Sequence, residues 1–118
     1  MTAEDLREAL RDTSEVTLTT VGRRSGQESS RPIWFVEDGD RLLLLPVAGS
    51  DSNWYRNLVK TPQVRLAADG AELRAAASPI DSSAGVAEVV EKFREKYGAD
   101  QVAEYYPKTD AAVEVPLV

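Results

Sequence analysis

The stretch VTLTTVGRRSGQESSRP, residues 16–32, decides how the rest of the chain is read. Its first part, VTLTTV (16–21), is dominated by β-branched residues, whose stiff side chains suit the pleated surface of a strand. Gly22-Arg23-Arg24-Ser25-Gly26 then sets two guanidinium groups and a hydroxyl between glycines, and Arg31-Pro32 opens the next apolar run, residues 33–36. Strand, polar turn and strand make a hairpin. The turn has the local chemistry of an anion site. Glycines let the backbone turn and expose its N–H groups, while the arginines, in fork geometry, and Ser25 offer side-chain donors to phosphate oxygens. The same residues also describe a solvated basic hairpin, and the loop alone does not choose between the two.

Working outward, Glu37-Asp38-Gly39-Asp40 is a turn, and RLLLLPV (41–47) is a third strand whose unbroken apolar run implies burial on both faces. Ser52 is placed to cap a helix over 53–60, which Thr61-Pro62 ends. Residues 63–68 and 71–80 form a second strand pair around Asp69-Gly70. Ser82 or Ser83 caps the longest helix, in which Val86, Val89, Val90, Phe93 and Tyr97 trace one face and Gly98 marks the end. The pairs Glu88-Lys92 and Glu91-Glu95 on that helix read as a solvated face. A further helical turn over 102–106 stops at Pro107, and residues 111–118 are a last strand that Pro116 restricts to an edge or an end. Upstream, Thr2 caps a first helix with Asp5 in its first turn and Ala3, Leu6, Ala9 and Leu10 at helical spacing. The sum is an α+β domain spanning 1–118: about six antiparallel strands forming a sheet or small barrel, with about three inserted helices.

Composition narrows the function. The 118 residues carry 14 Lys and Arg against 20 Asp and Glu, a net charge of -6, which argues against a general nucleic-acid or membrane-surface binder. Arg23, Arg24 and Arg31 stand out against that background. There is no cysteine and no histidine. Thiolate nucleophiles, zinc-thiolate sites, serine-histidine triads and imidazole bases are excluded, and no metal site is expected; carboxylate, Tyr, Lys, Arg or a bound cofactor must do any chemistry. No GxGxxG or Walker loop is present, and no apolar run is long enough for a transmembrane helix or a signal peptide. A cytoplasmic protein is expected.

The succession LTTVGRRSGQ, then RPIWFVEDGDRLLLLPV, then NWYRNLVKTPQVRL resembles the split β-barrel proteins of the deazaflavin (F420)-dependent nitroreductase family, within the larger flavin- and deazaflavin-binding split-barrel group. The resemblance covers residues 16–68 and weakens toward the C-terminus. It implies an antiparallel split barrel, F420 as cofactor, and hydride transfer to a small electron acceptor such as a quinone or nitro compound. It also implies a phosphate and polyglutamyl-tail site at Arg23, Arg24 and Ser25. The ring pocket it implies is formed by Arg31, Pro32, Ile33 and Trp34, by Pro46, Val47 and Ala48, and by Asn53, Trp54, Tyr55 and Asn57. The loop after the third strand (VAGSDS) and the residues after GRRSG (QESS) lack cations that many members carry there. FMN on the same scaffold, and a non-catalytic flavin or deazaflavin binder, are therefore the alternatives.

Each aromatic has a second reading. Trp54 is favoured for packing, while Trp34 suits a core as well as a pocket. Tyr105 and Tyr106 either close a substrate pocket or fill a dimer seam. Tyr55 and Asn57 lie on a short polar helix where surface hydrogen bonds are ordinary. A homodimer is expected, because these aromatics supply more apolar surface than one small barrel needs inside.

Overall fold

The computed structural model describes residues 2–117; Val118, included in the expected last strand, lies outside the described residues. The strands are β1 (Glu15–Val21), β2 (Glu28–Asp38), β3 (Arg41–Leu44), β4 (Gln63–Ala68), β5 (Ala71–Ala76), β6 (Ser78–Ile80) and β7 (Ala112–Pro116). The helices are α1 (Ala3–Leu10), α2 (Asn53–Lys60), α3 (Ser83–Tyr97) and α4 (Ala99–Tyr105), with a 3-10 turn at Gly49–Asp51. All strand pairs are antiparallel, in the order β5-β4-β1-β2-β3-β7-β6. The expected split barrel is present.

One expected strand is two. Residues 71–80 break at Ala77: β5 pairs with β4 at one edge of the sheet, and β6 pairs with β7 at the other. Consecutive strands can occupy opposite edges only if the sheet curls until those edges approach. Ala77 itself is buried and donates its N–H to the Pro62 carbonyl at 2.8 Å. Pro79 is tolerated because three-residue β6 is an edge strand.

β3 ends at Leu44, short of the expected 41–47, because Pro46 cannot donate to a ladder, but Leu42 to Leu45 are all buried, on both faces as expected. Leu42 and Leu44 enter the barrel core with Val16, Leu18, Phe35, Trp54, Leu58 and Leu66, whereas Leu43 and Leu45 face a second core against α3. That second core is completed by Val86, Val89, Val90, Phe93, Val102 and Tyr106. Each leucine side chain removed from water contributes about 1.5–3 kcal/mol before entropy is counted. The caps follow the sequence in two of three cases. Thr2 and Asp5 form a reciprocal capping box, and Ser82 accepts the Gly85 N–H. Ser52 occupies the N-cap position of α2, but its hydroxyl accepts the Ala48 N–H at 2.9 Å instead. The Asp69-Gly70 turn has positive φ at both residues, as a tight two-residue hairpin requires.

The solvated face expected for α3 is partly an ion-pair seam. Arg41 reaches Asp38, Glu114 and Glu88 at 3.0, 2.6 and 3.3 Å, and Lys92 lies 3.6 Å from Asp38. Cross-element partners therefore displace the expected Glu88-Lys92 pair. Among the described residues no helix is long and apolar enough to cross a membrane.

β2 holds the two halves together by changing partner. It pairs with β1 through Trp34 and with β3 from Phe35 onward. At the change, α3 supplies what β1 no longer does: the Tyr97 hydroxyl accepts the Phe35 N–H at 3.1 Å, and Lys96 Nζ donates to the Phe35 carbonyl at 2.7 Å. The Tyr97 proton has the Phe35 and Ser14 carbonyls within 2.8 and 2.9 Å. Tyr97→Phe should lower unfolding free energy by about 1–3 kcal/mol, because the Phe35 N–H loses its partner while Lys96 still serves the carbonyl. Urea denaturation checks this, with Tyr105→Phe, whose ring is half exposed, staying close to wild type.

Candidate functional site

The β1–β2 loop is folded by its own backbone. Gly22 donates to the Gln27 carbonyl at 2.8 Å, Gly26 donates to the Gly22 carbonyl at 2.9 Å, and Gly26 sits at φ 73°. Ser25 Oγ accepts the Gln27 N–H at 3.2 Å, and a Cβ on Gly22 would meet that hydroxyl at 2.6 Å. The loop leans on α2. Asn57 Oδ1 accepts both the backbone N–H of Arg23 at 3.2 Å and its guanidinium at 2.9 Å, while the Asn53 carbonyl lies 3.5 Å from the same guanidinium. Lys60, from the end of α2, donates to the Arg23 carbonyl at 2.6 Å.

Arg23, Lys60 and exposed Arg24 thus sit together at the loop, with Arg31 further along β2, and among the described residues none of the four is in an ion pair. An uncompensated cationic group on an acidic chain can take an anion at little desolvation cost. Lys60 escaped the sequence reading because a lysine in the last helical turn has an ordinary role there.

At the other end of the β1–β2 ladder lies an aromatic cleft of about 230 Å³. Pro32, Ile33, Trp34, Val47, Tyr105 and Tyr106, all expected at the site, line it together with Glu15 and Leu45, which were not. Trp34 is held in place by stacking on Tyr97, with centroids 4.2 Å apart and planes 9° off parallel, and by Tyr105 edge-on at 4.9 Å. Tyr106 packs its ring on Phe93, and burial pushes its phenol pKa up, so the hydroxyl keeps its proton. No described residue hydrogen-bonds that hydroxyl. Val47 and Tyr105 are 52% and 50% exposed at the mouth.

The seven residues of β1 put the basic loop and the cleft about 20 Å apart, at roughly 3.3 Å per residue. β2 connects them. Its edge from 28 to 34, opposite β1, has no strand partner among the described residues. Arg31 lies between, on the same sheet face as Ile33 and Ser29 by alternation. Not every expected residue reaches this edge. Trp54 and Tyr55 are 4% and 8% exposed in the barrel core, and Pro46 is buried behind Val47 and Ala48. Asn53 and Asn57 instead meet Arg23. The reason is helix phase: Trp54, Tyr55 and Leu58 form the buried stripe of α2, which turns Asn53 outward.

The arrangement can hold an elongated ligand with a planar apolar head and an anionic tail. The model of the F420H(2)-dependent quinone reductase family matches residues 3–118. Among solved structures, the fold is similar to an F420-H2 dependent reductase, FDR-A, with a TM-score of 0.67 and 20% identity over 86% of this chain and 93% of that one. It is also similar to a domain-swapped dimer, with a TM-score of 0.69 and 25% identity over 88% and 81% of the two chains. A third likeness is to HutZ, a heme storage protein from Vibrio cholerae, with a TM-score of 0.71 and 18% identity over 98% and 90%. The chain therefore belongs to the F420H(2)-dependent quinone reductase family and is an oxidoreductase with F420 as its cofactor.

Proposed function

We propose that residues 1–118 form one cofactor-binding domain that reduces a small quinone, with nitro compounds as second acceptors. In this reading Pro32, Ile33, Trp34 and Val47 would hold the F420 ring, and Arg31, Arg23, Arg24 and Lys60 would hold its anionic tail. The observation that carries it is the opposite character of the two ends of one open strand edge: aromatic at Trp34, cationic and unpaired at Arg23 and Arg24. When bound, the reduced cofactor supplies a hydride.

The chain's own part is positional. The walls formed by Trp34, Tyr105 and Tyr106 would exclude water and hold the acceptor near attack distance, about 3–3.5 Å. Hydride addition to a quinone leaves negative charge on oxygen, and the protonated Tyr106 hydroxyl would donate a hydrogen bond to it if it faces the bound acceptor. No imidazole or thiol is required.

F420 should bind more tightly than FMN in fluorescence titrations, and reduced F420 with menadione should turn over above the protein-free rate. Tighter FMN overturns the cofactor choice; tight F420 without turnover leaves a binder. Arg24→Ala should weaken F420 about tenfold to hundredfold, since a charged hydrogen bond is worth about 1.5–3 kcal/mol. Arg24→Lys should recover part of that loss, because a point charge replaces the fork. Arg11→Ala on α1 serves as the control, and equal losses from both variants would move the anion site elsewhere. We also propose a homodimer, supported by the domain-swapped neighbour. Sedimentation at tens of micromolar should give twice the chain mass, and a monomer mass refutes it.

A further inference from the structure

The cleft has one charged lining residue, and its charge is negative. Glu15 opens β1 directly opposite Trp34, so the two side chains share one sheet face beside the aromatic wall. Its carboxylate forms no ion pair among the described residues; its nearby titratable groups in the cleft are the phenols of Tyr105 and Tyr106, and Tyr97 feels its field. Beyond Glu15 the surface continues into a second depression of about 470 Å³ that shares Glu15 and Pro32 with the cleft. Asp12 and Asp69 line that depression, no cation does, and neither carboxylate is in an ion pair among the described residues. A small molecule entering past Tyr105 therefore meets aromatic faces and an uncompensated negative field, at the end of the groove opposite the arginines.

We infer that Glu15 makes the acceptor cleft charge-selective, admitting neutral and cationic aromatic electrophiles and turning away anionic ones. The inference rests on the proposed placement of the acceptor between Trp34 and Tyr105. Two interactions act in the same direction. A carboxylate attracts a cation and repels an anion, and ring faces attract cations through their quadrupoles. The field also keeps an anionic tail out of the cleft, so an elongated ligand is oriented in one sense by both of its ends. For a charged substituent away from the reacting carbon, the charge is the same before and during hydride transfer. The selectivity then appears in KM, with little change in kcat.

Three naphthoquinones with the same reacting ring test this: menadione, a naphthoquinone sulfonate, and a naphthoquinone carrying a quaternary ammonium side chain. At low salt the KM of the sulfonate should exceed that of the ammonium quinone, and Glu15→Gln should reduce this ratio by roughly 25-fold, about fivefold for each of the two opposite charges at contact in a water-like dielectric. Added salt should compress the wild-type ratio toward that of the variant. Glu4→Gln, which removes the same charge from the start of α1, should leave the ratio as in wild type. Quenching of Trp34 fluorescence by the same three quinones, measured without cofactor, should give affinities in the same order and the same collapse in Glu15→Gln. A ratio that does not move in Glu15→Gln, or that moves equally in Glu4→Gln, overturns the inference. If no quinone is reduced but quenching keeps the Glu15-dependent order, the enzymatic reading fails and the charge-selective cleft stands. Turnover of all three quinones without discrimination has the opposite meaning.

Discussion

Strand β2 leaves β1 for β3 between Trp34 and Phe35, and the molecule depends on how that step is stabilised. A strand that changes partner leaves backbone groups without a ladder, and in a buried position each orphan costs about as much as a lost hydrogen bond. Tyr97 and Lys96 fill the gap from the end of α3, with the Lys96 ammonium also 3.6 Å from the Phe35 ring centroid. One helix end thereby fixes the bend, the second core and the orientation of the Trp34 indole that stacks on Tyr97. Below the bend, the edge of β2 that β3 abandons is left open, and the candidate site is that edge.

The unpaired charges divide between the two ends of the β1–β2 ladder. Arg23, Arg24, Arg31 and Lys60 lie toward the loop, and Glu15, Asp12 and Asp69 lie toward the cleft, on a chain whose net charge is -6. Most other charges are paired, as in the seam of Arg41 with Asp38, Glu88 and Glu114. An ion pair on the surface contributes little and is screened by salt, but an unpaired charge projects its field into the groove. Net charge alone would predict weak anion binding, whereas its distribution does not.

How much of this could be read from the sequence depended on the range of the interactions. The β-branched run before Gly22, the leucines of β3, the Thr2 and Ser82 caps and the Asp69-Gly70 turn are local signals, and each appears in the structure as expected. The break at Ala77 was hidden because the chain pairs as strand on both sides of it; the change of edge is decided by barrel closure. Glu15 was hidden for a similar reason. A glutamate before a strand is ordinary, and only pairing with Trp34 brings it to the cleft. Trp54 and Asn57 show helix phase overriding motif: the tryptophan enters the core, while the asparagine, 8% exposed, turns to hold Arg23.

The two ends of the groove are unequal in what they can lose. Arg24 extends from a loop whose turn is closed by backbone bonds among Gly22, Gly26 and Gln27, so its side chain can change while the loop keeps its shape. Trp34 has no such independence. One face is given to Tyr97, its edge region meets Tyr105 and Tyr106, and its backbone neighbours the partner change of β2. Replacing the indole would remove packing from the second core and loosen α3 before it told anything about a ring in the cleft. Truncating a large buried aromatic costs about 3–5 kcal/mol, and a half-buried one a fraction of that, which is still large against the marginal stability of a small domain. Binding at the cationic end can therefore be dissected by charge removal. At the aromatic end, recognition and stability share the same atoms, and a change of charge at Glu15 probes that end with less disturbance than truncating its wall.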